Sequence, residues 1–416
     1  MQMNQRTIKG SAQGWLKTCL MSVVLLLALP LAAHAQGPQP VPTPCEEPPC
    51  CPGPGCPIRT VQGTITSCAG IPLADIQVLI ENESVSLIRY TNASGYYAAQ
   101  VPLGTYLVTP TPTTGYFFSP QSQQSSGIGF TDFTRYPRDN RANFDGDCKT
   151  DLSIFTLNTG VWSSINSSNS QYVTFQFGQS TDILVPGDYN ADGKTDRAVF
   201  RPGNGYWYIA TDTSGVFQSV QFGQNGDIPV ARDYDGDAKT DIAIWRPSNG
   251  QWWILPSSGG GAYVVPFGIT PDLPVPGDYD GDNRDDMAIW RPSTGDWWIL
   301  KSSTSSAVVV HFGASTDKPV QADYDGDGVT NIAVWRPSTD DWWVLKSDGT
   351  SFVIHVDLTD ERPVPGDYDG DGAADAAVWS STTGFWKVLR SSNGSYIQEY
   401  FGGSGTVPIP AFYIPQ

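Results

Sequence analysis

The feature that most limits how this 416-residue chain can fold is a nine-residue acidic turn that returns six times. Its copies begin at Asn143, Asp188, Asp233, Asp278, Asp323 and Asp367, spaced 45, 45, 45, 45 and 44 residues apart. The fourth copy reads DYDGDNRDD, in which five of nine residues are carboxylates. Other signals keep the same step. A Phe-Gly pair recurs at Phe177, Phe222, Phe267, Phe312 and Phe401. One tryptophan recurs in every unit and is read as Trp162, Trp207, Trp253, Trp298, Trp343 and Trp386. A fixed period of about 20–50 residues marks an array in which each unit buries the face its neighbour leaves bare.

One unit runs PVPGDY, acidic turn, DMAIWRP, STG, DWWILKS, AVVVHFG, which predicts four short strands joined by tight turns. Four strands in about 45 residues is the size of one propeller blade. The expected fold is therefore all-β: a six-bladed β-propeller over residues 137–416, preceded by a small β-sandwich over 58–136. The tail FGGSGTVPIPAFY repeats the start of a unit without its acidic turn. It either closes the ring by adding a strand to the first blade or opens a seventh blade, and seven blades stand as the alternative.

Residues 1–35 read as a secretory signal: Arg6, Lys9 and Lys17 form a basic region, Cys19 to Leu31 an apolar one, and Ala33-His34-Ala35 a cleavage site. An uncleaved anchor is the competing reading, but the apolar run is short for a span. No other spanning segment is expected, and the location follows as secreted, extracellular or cell-envelope. Loss of the leader makes the chain three units more acidic than its formal net charge of −18. Such a chain repels nucleic acid and anionic lipid and attracts cations. Six cysteines remain, Cys45, Cys50, Cys51, Cys56, Cys68 and Cys148. An even count in an exported chain suggests disulfides, with the pairing open. Four of them lie in the Pro-rich linker 36–57, for which a soft-metal site is the alternative.

Between Ile58 and Tyr136 the stretches VQGTIT, DIQVLI, YYAAQV and TYLVTP alternate apolar and polar residues as half-buried strands do. The phrases GIPLADIQVLIENE, TNASGYYAAQVPLGTYLVTPT and YFFSP resemble the carboxypeptidase-regulatory-like family. That resemblance implies a transthyretin-like sandwich used as a module or stalk in exported proteins. Related modules often carry a Lys–Asn isopeptide cross-link, which the absence of lysine from Ile58 to Tyr136 excludes here.

Within each acidic turn, numbered 1 to 9, alternate residues converge on one centre. Oxygen side chains stand at positions 1, 3, 5 and 9, and position 7 offers a backbone carbonyl. The candidate ligands are Asn143, Asp145, Asp147, Lys149 and Asp151 in the first turn, and Asp188, Asn190, Asp192, Lys194 and Asp196 in the second. The third and fourth turns supply Asp233, Asp235, Asp237, Lys239 and Asp241, then Asp278, Asp280, Asp282, Arg284 and Asp286. The fifth and sixth supply Asp323, Asp325, Asp327, Val329 and Asn331, then Asp367, Asp369, Asp371, Ala373 and Asp375. Hard oxygen donors without sulfur or imidazole favour calcium, with magnesium as a poorer fit. Two carboxylates about 5 Å apart repel by roughly 3 kcal/mol at an effective dielectric of 20, so six empty turns would cost about what a domain's whole stability provides. Up to six Ca2+ ions are expected; the alternative is an Asp/Gly hairpin turn that holds no ion. The turns with Asn143, Asn190 and Asn331 keep their oxygen but lose a charge, and are expected to bind more weakly. The Cys148 side chain, at position 6 of the first turn, is expected to point away from the ion.

A Phe-Gly pair, a DxDGDGxxD turn and a short apolar strand together resemble the FG-GAP/VCBS repeats of integrin-α-type propellers over about residues 137–416. The resemblance implies calcium ions that are mostly structural, pinning the loop between the first two strands of each blade.

The recurrent tryptophan is read as core between blades. The position before it holds Val161, Tyr206, Trp252, Trp297, Trp342 and Phe385, where a ring either packs on the next blade or stacks on a sugar. Arg201, Arg246, Arg291 and Arg336 each precede proline at a strand end, and an ion pair with a loop carboxylate is the favoured reading. His311 and His355 occupy nearly matching strand positions, and no nucleophile–base arrangement accompanies them. The expected function is that of an exported, non-catalytic, calcium-binding repeat protein, a binding or adhesion platform for an extracellular glycan or protein. The alternatives are a polysaccharide-active enzyme, for which Asp296, Asp340 and Asp341 are the carboxylates outside the turns, and a purely structural surface or matrix component.

Overall fold

The computed structural model describes residues 58–126, 129–138, 142–211, 217–357 and 361–410. The leader 1–35, the linker 36–57 and its cysteines Cys45, Cys50, Cys51 and Cys56 lie outside the described residues. All named elements are strands, and they assemble into eight four-stranded sheets. Among the described residues no helix is long and apolar enough to cross a membrane.

Two of the sheets come from residues 58–137. One orders the strands Tyr96–Pro102, Ile58–Ser67, Phe133–Pro137 and Tyr116–Ser119; the other orders Ser86–Tyr90, Gln77–Glu81, Tyr106–Pro110 and Gln123–Ser125. Alternation explains the pairing of layers. Val61, Ile65, Val78, Ile80, Tyr97, Val101, Tyr106 and Val108 all turn inward and form one buried cluster, while the residues between them face out.

The other six sheets come from the repeats. The fourth shows the pattern: Leu273–Pro274, Met287–Arg291, Asp296–Leu300 and Ala307–His311, each antiparallel to the next. The acidic turn joins the first two strands, and the segment 292–295 joins the second and third. Consecutive sheets pack face to face. Trp297 and Ile299 of the fourth sheet share a core with Ile332 and Val334 of the fifth, and Trp379 and Val388 of the sixth share one with Ile154 of the first. The stack therefore returns on itself as a ring, a propeller whose first sheet is completed by the C-terminal strand Thr406–Pro408, antiparallel to Leu152–Thr156. That pairing covers the first sheet's inner edge and joins the two ends of the array.

The tryptophan register read from sequence holds in the first, second and sixth units and is one residue off in the third, fourth and fifth. Trp162, Trp207, Trp252, Trp297, Trp342 and Trp386 are the equivalent side chains, and none is more than 1 % exposed. All but Trp342 donate an indole N–H to a carbonyl of the unit's Phe-Gly pair, as in Trp297 to Phe312 at 2.9 Å. Trp252, Trp297 and Trp342 are thus core and not sugar platforms. Trp253, Trp298 and Trp343 are half-buried on the opposite face, where Arg246, Arg291 and Arg336 lie over their rings at 5.0–5.2 Å. The same arginines chelate Asp227, Asp272 and Asp317, and Arg201 chelates Asp182, through pairs of 2.7–2.9 Å bonds. Each clamp fixes the loop that leads into a sheet to that sheet's second strand.

Six acidic turns as candidate cation sites

The turns owe their shape to two left-handed residues. Positions 4 and 6 take positive φ in all six, including Ala191, Cys148, Ala238 and Asn283, where no glycine relieves the strain. In the third to sixth turns that backbone directs the N–H groups of positions 4 and 6 at the position 1 carboxylate. In the fourth turn, Asp278 accepts from Gly281 at 2.6 Å and from Asn283 at 2.8 Å. Position 9 brackets the turn. Asp151, Asp196, Asp241, Asp286, Asn331 and Asp375 each accept from the N–H of position 2 at 2.7–3.0 Å.

The turns are also bonded to one another. The N–H of position 8 in each turn donates to the position 1 carbonyl of the preceding turn: Thr195 to Asn143, Thr240 to Asp188, Asp285 to Asp233, Thr330 to Asp278, Ala374 to Asp323, and Thr150 to Asp367. These six bonds measure 2.6–2.8 Å and close a cycle around the axis. Each turn is thereby a joint between two sheets as well as a loop within one.

In the fourth, fifth and sixth turns three carboxylates converge at positions 1, 3 and 5: Asp278, Asp280 and Asp282; Asp323, Asp325 and Asp327; Asp367, Asp369 and Asp371. In the third they are Asp233, Asp235 and Asp241, at positions 1, 3 and 9. In each group one oxygen per residue lies within 4.8 Å of the others, an arrangement that could hold a metal ion. At that separation, each pair of charges repels by about 3.5 kcal/mol at an effective dielectric of 20. Asp145, Asp147 and Asp151, and Asp188, Asp192 and Asp196, belong to turns in which Asn143 or Asn190 takes one ligand position. Position 7 (Lys149, Lys194, Lys239, Arg284, Val329, Ala373) gives its N–H to the position 5 carboxylate at 2.9 Å in every turn.

Two observations test whether these residues suit a cation. The donors are hard oxygens throughout, and Asp280 Oδ1, buried in the fourth turn, has no hydrogen-bond partner. Burial also pushes the carboxyls up: Asp286 and Asp241 to about 7, Asp323 and Asp367 to about 7, and Asp196 to about 8. Removal from water is the largest cause in each case, with neighbouring carboxylates adding to it. A bound divalent ion reverses that preference.

Sequence reasoning missed a set of serines. The turn between the third and fourth strands of a unit places one hydroxyl on position 5 and the next on position 3. Ser302 bonds Asp282 at 2.9 Å and Ser303 bonds Asp280 at 2.6 Å; Ser167 and Ser168, Ser257 and Ser258, and Ser391 and Ser392 repeat the pattern. The signal was present: these pairs stand 20 and 23 residues beyond their partners in four repeats.

The sandwich sits on this ring of turns and touches every one. A Cys68–Cys148 disulfide, with Cα atoms 5.8 Å apart, joins it to the first. Ser119 Oγ donates to the Ala191 carbonyl at 3.0 Å in the second. Gln121 and Arg138 bond the third, and Gly115 N–H donates to Asn283 Oδ1 at 2.9 Å in the fourth. Gly115 meets Gly328 of the fifth so closely that a Cβ on it would lie 2.4 Å from the Gly328 Cα. The Tyr116 hydroxyl lies against Gly372 of the sixth. A cavity of about 70 Å³ remains between sandwich and ring, lined by Tyr116, Arg138, Arg232, Asp285 and Thr330 among others.

The remaining candidates are surface features. His311 pairs with Asp296 and His355 with Asp341, each at 3.0 Å and each with an exposed imidazole. Asp340 is a left-handed turn residue.

No protein-family model and no curated protein matches the chain. Solved structures with a similar course include a virginiamycin B lyase from Staphylococcus aureus (9 % identity, TM-score 0.41, covering 64 % of this chain and 88 % of that one). An Agrocybe aegerita lectin specific for non-reducing terminal N-acetylglucosamine gives 16 % identity and a TM-score of 0.42 over 61 % of this chain and 77 % of that one. A dihydro-heme d1 dehydrogenase gives 11 % and 0.35 over 66 % and 55 %. The likeness is one of fold. It corrects one expectation nonetheless: structures of this course include a lyase and a dehydrogenase, so the expectation of a non-catalytic protein is withdrawn.

Proposed function

We propose that the protein is an exported calcium-binding propeller that presents one face to an extracellular glycan or protein. Calcium would be held by positions 1, 3 and 5, with the position 7 carbonyl and the position 9 side chain completing the set of oxygen ligands. Bound there, the ion supplies positive charge to converging carboxylates. This chain's own groups do the rest: the position 9 bracket and the serine hydroxyls orient the carboxylates, and the position 8 bonds pass the rigidity of each turn to the next. Export rests on the leader read at residues 1–35.

The observation that carries the reading is the ring itself. Six joints between sheets are built from the turns, four of which gather converging carboxylates, so an ion in one of those turns stiffens the platform. The sandwich covers the acidic-turn side, which leaves the opposite side, with turns such as 292–295, for a partner. Glycan-array and pull-down screens with calcium-loaded protein test the proposal. Binding that is lost in chelator supports it, and the absence of any ligand across a wide panel contradicts it.

A further inference from the structure

Among the described residues, the third turn differs from the others in having a buried guanidinium paired with its position 1 carboxylate. Arg138 leaves the sandwich one residue after the strand Phe133–Pro137 and enters this turn. Its guanidinium pairs with the position 1 carboxylate of Asp233 and donates a second bond, at 3.2 Å, to the Gly236 carbonyl at position 4. Both side chains are more than four-fifths buried. Asp233 already accepts from Gly236 and Ala238, the pair of backbone bonds that Asp278, Asp323 and Asp367 also accept. Among the described residues, Asp278, Asp323 and Asp367 have those backbone partners and no ion pair. The fifth turn has a cation nearby, Lys346 on Asp325 at 3.2 Å, but its side chain is about twice as exposed as that of Arg138 and reaches position 3. The third turn is also the one whose convergent group takes in position 9 in place of position 5.

A guanidinium is always charged at physiological pH and offers its donors in a rigid fork, so it meets a carboxylate and a carbonyl at once without further ordering. We propose that Arg138 is the resident cation of the third turn, so that this turn takes up calcium only when the guanidinium is removed. The proposal rests on the reading of the acidic turns as cation sites and adds that one of the four convergent groups is filled from within the chain. It also gives the junction a reason for its course: the turn that anchors the sandwich by charge is spared from exchanging that charge with solvent ions.

The test is a count. Calcium bound to the full chain, with its disulfide intact, is measured by native mass spectrometry and flow dialysis for wild type, Arg138→Gln and Asp233→Asn. Arg138→Gln is expected to bind one ion more than wild type. Asp233→Asn is expected to leave the wild-type count unchanged and to abolish the added ion when combined with Arg138→Gln. Equal counts for wild type and Arg138→Gln would overturn the proposal while leaving the other turns as calcium sites. So would a loss of one ion in the Asp233→Asn single variant, which does not depend on Arg138→Gln folding. No calcium on either protein would overturn the cation reading, and this proposal with it.

Discussion

The arginine clamps offer the sharpest single-residue test of how the ring is held. Arg246 donates to Asp227 through Nε at 2.7 Å and Nη2 at 2.8 Å, and the Asp227 side chain is only 1 % exposed. Asp227 also accepts the Gln224 N–H at 2.9 Å, so its carboxylate is fixed in place whether or not the arginine is there. Arg246→Met keeps the stem that covers Trp253 but strands a buried negative charge. Breaking such a pair from one side costs about 3–5 kcal/mol, and the lower end applies because the arginine is partly open to water. For a ring of this size, a loss of about 3 kcal/mol lowers the melting temperature by roughly 6–12 °C. Asp227→Asn combined with Arg246→Met removes the stranded charge and is expected to recover more than half of the loss. Scanning calorimetry of wild type, single and double variants measures all three. A single variant that melts within about 2 °C of wild type would refute the claim that the clamp is a stabilising buried pair.

Further predictions follow from the same geometry. Trp297→Ala should cost about 3–5 kcal/mol by emptying a core site and orphaning the Phe312 carbonyl, whereas Trp298→Ala should cost clearly less; equal losses in urea unfolding would contradict the corrected register. Cys68→Ser should lower stability by about 4.5 kcal/mol, because the disulfide closes a segment of 80 residues in the unfolded chain; an unchanged urea midpoint under oxidising conditions would argue against the bond. Asp286, Asp241 and Asp151, raised to about 7, and Asp196, raised to about 8, titrate above their unfolded values, so their stabilising effect is complete at low pH and is lost as pH rises through the folded values. In chelator the melting temperature should therefore fall between about pH 4 and 8, and calcium should shrink that fall; a rise over the same range would contradict this reading.

Much of this fold was legible because it is written six times. The period, the Phe-Gly pairs and the left-handed positions of the turn are local signals, and local chemistry produces the strands and turns they predict. The tryptophan register failed for a local reason too. Three repeats carry Trp-Trp and three carry a single tryptophan, so the pair can be aligned on either member. Counted from position 1, the buried residue stands at one distance throughout, from Asn143 to Trp162 and from Asp278 to Trp297 alike, and that count would have settled the matter. The ion-pair reading of Arg201, Arg246, Arg291 and Arg336 holds, and the partners are Asp182, Asp227, Asp272 and Asp317. Other parts of the site had no sequence signal. The cycle of position 8 bonds runs through the backbone, which carries no residue code. The seat of the sandwich on the turns, the Cys68–Cys148 pairing and the entry of Arg138 into the third turn join segments far apart in the chain, and only the assembled ring brings them together.

If the acidic turns hold divalent cations, those ions stabilise the ring. Calorimetric melting of the full chain in millimolar calcium and then in chelator tests it most directly. At ten times its dissociation constant each occupied site contributes about 1.4 kcal/mol, so three to five sites contribute roughly 4–7 kcal/mol. A fall of several degrees in chelator is expected, which calcium restores and an equal concentration of sodium does not. Identical melting curves in calcium and chelator would contradict it, and the convergent carboxylates would then need another explanation.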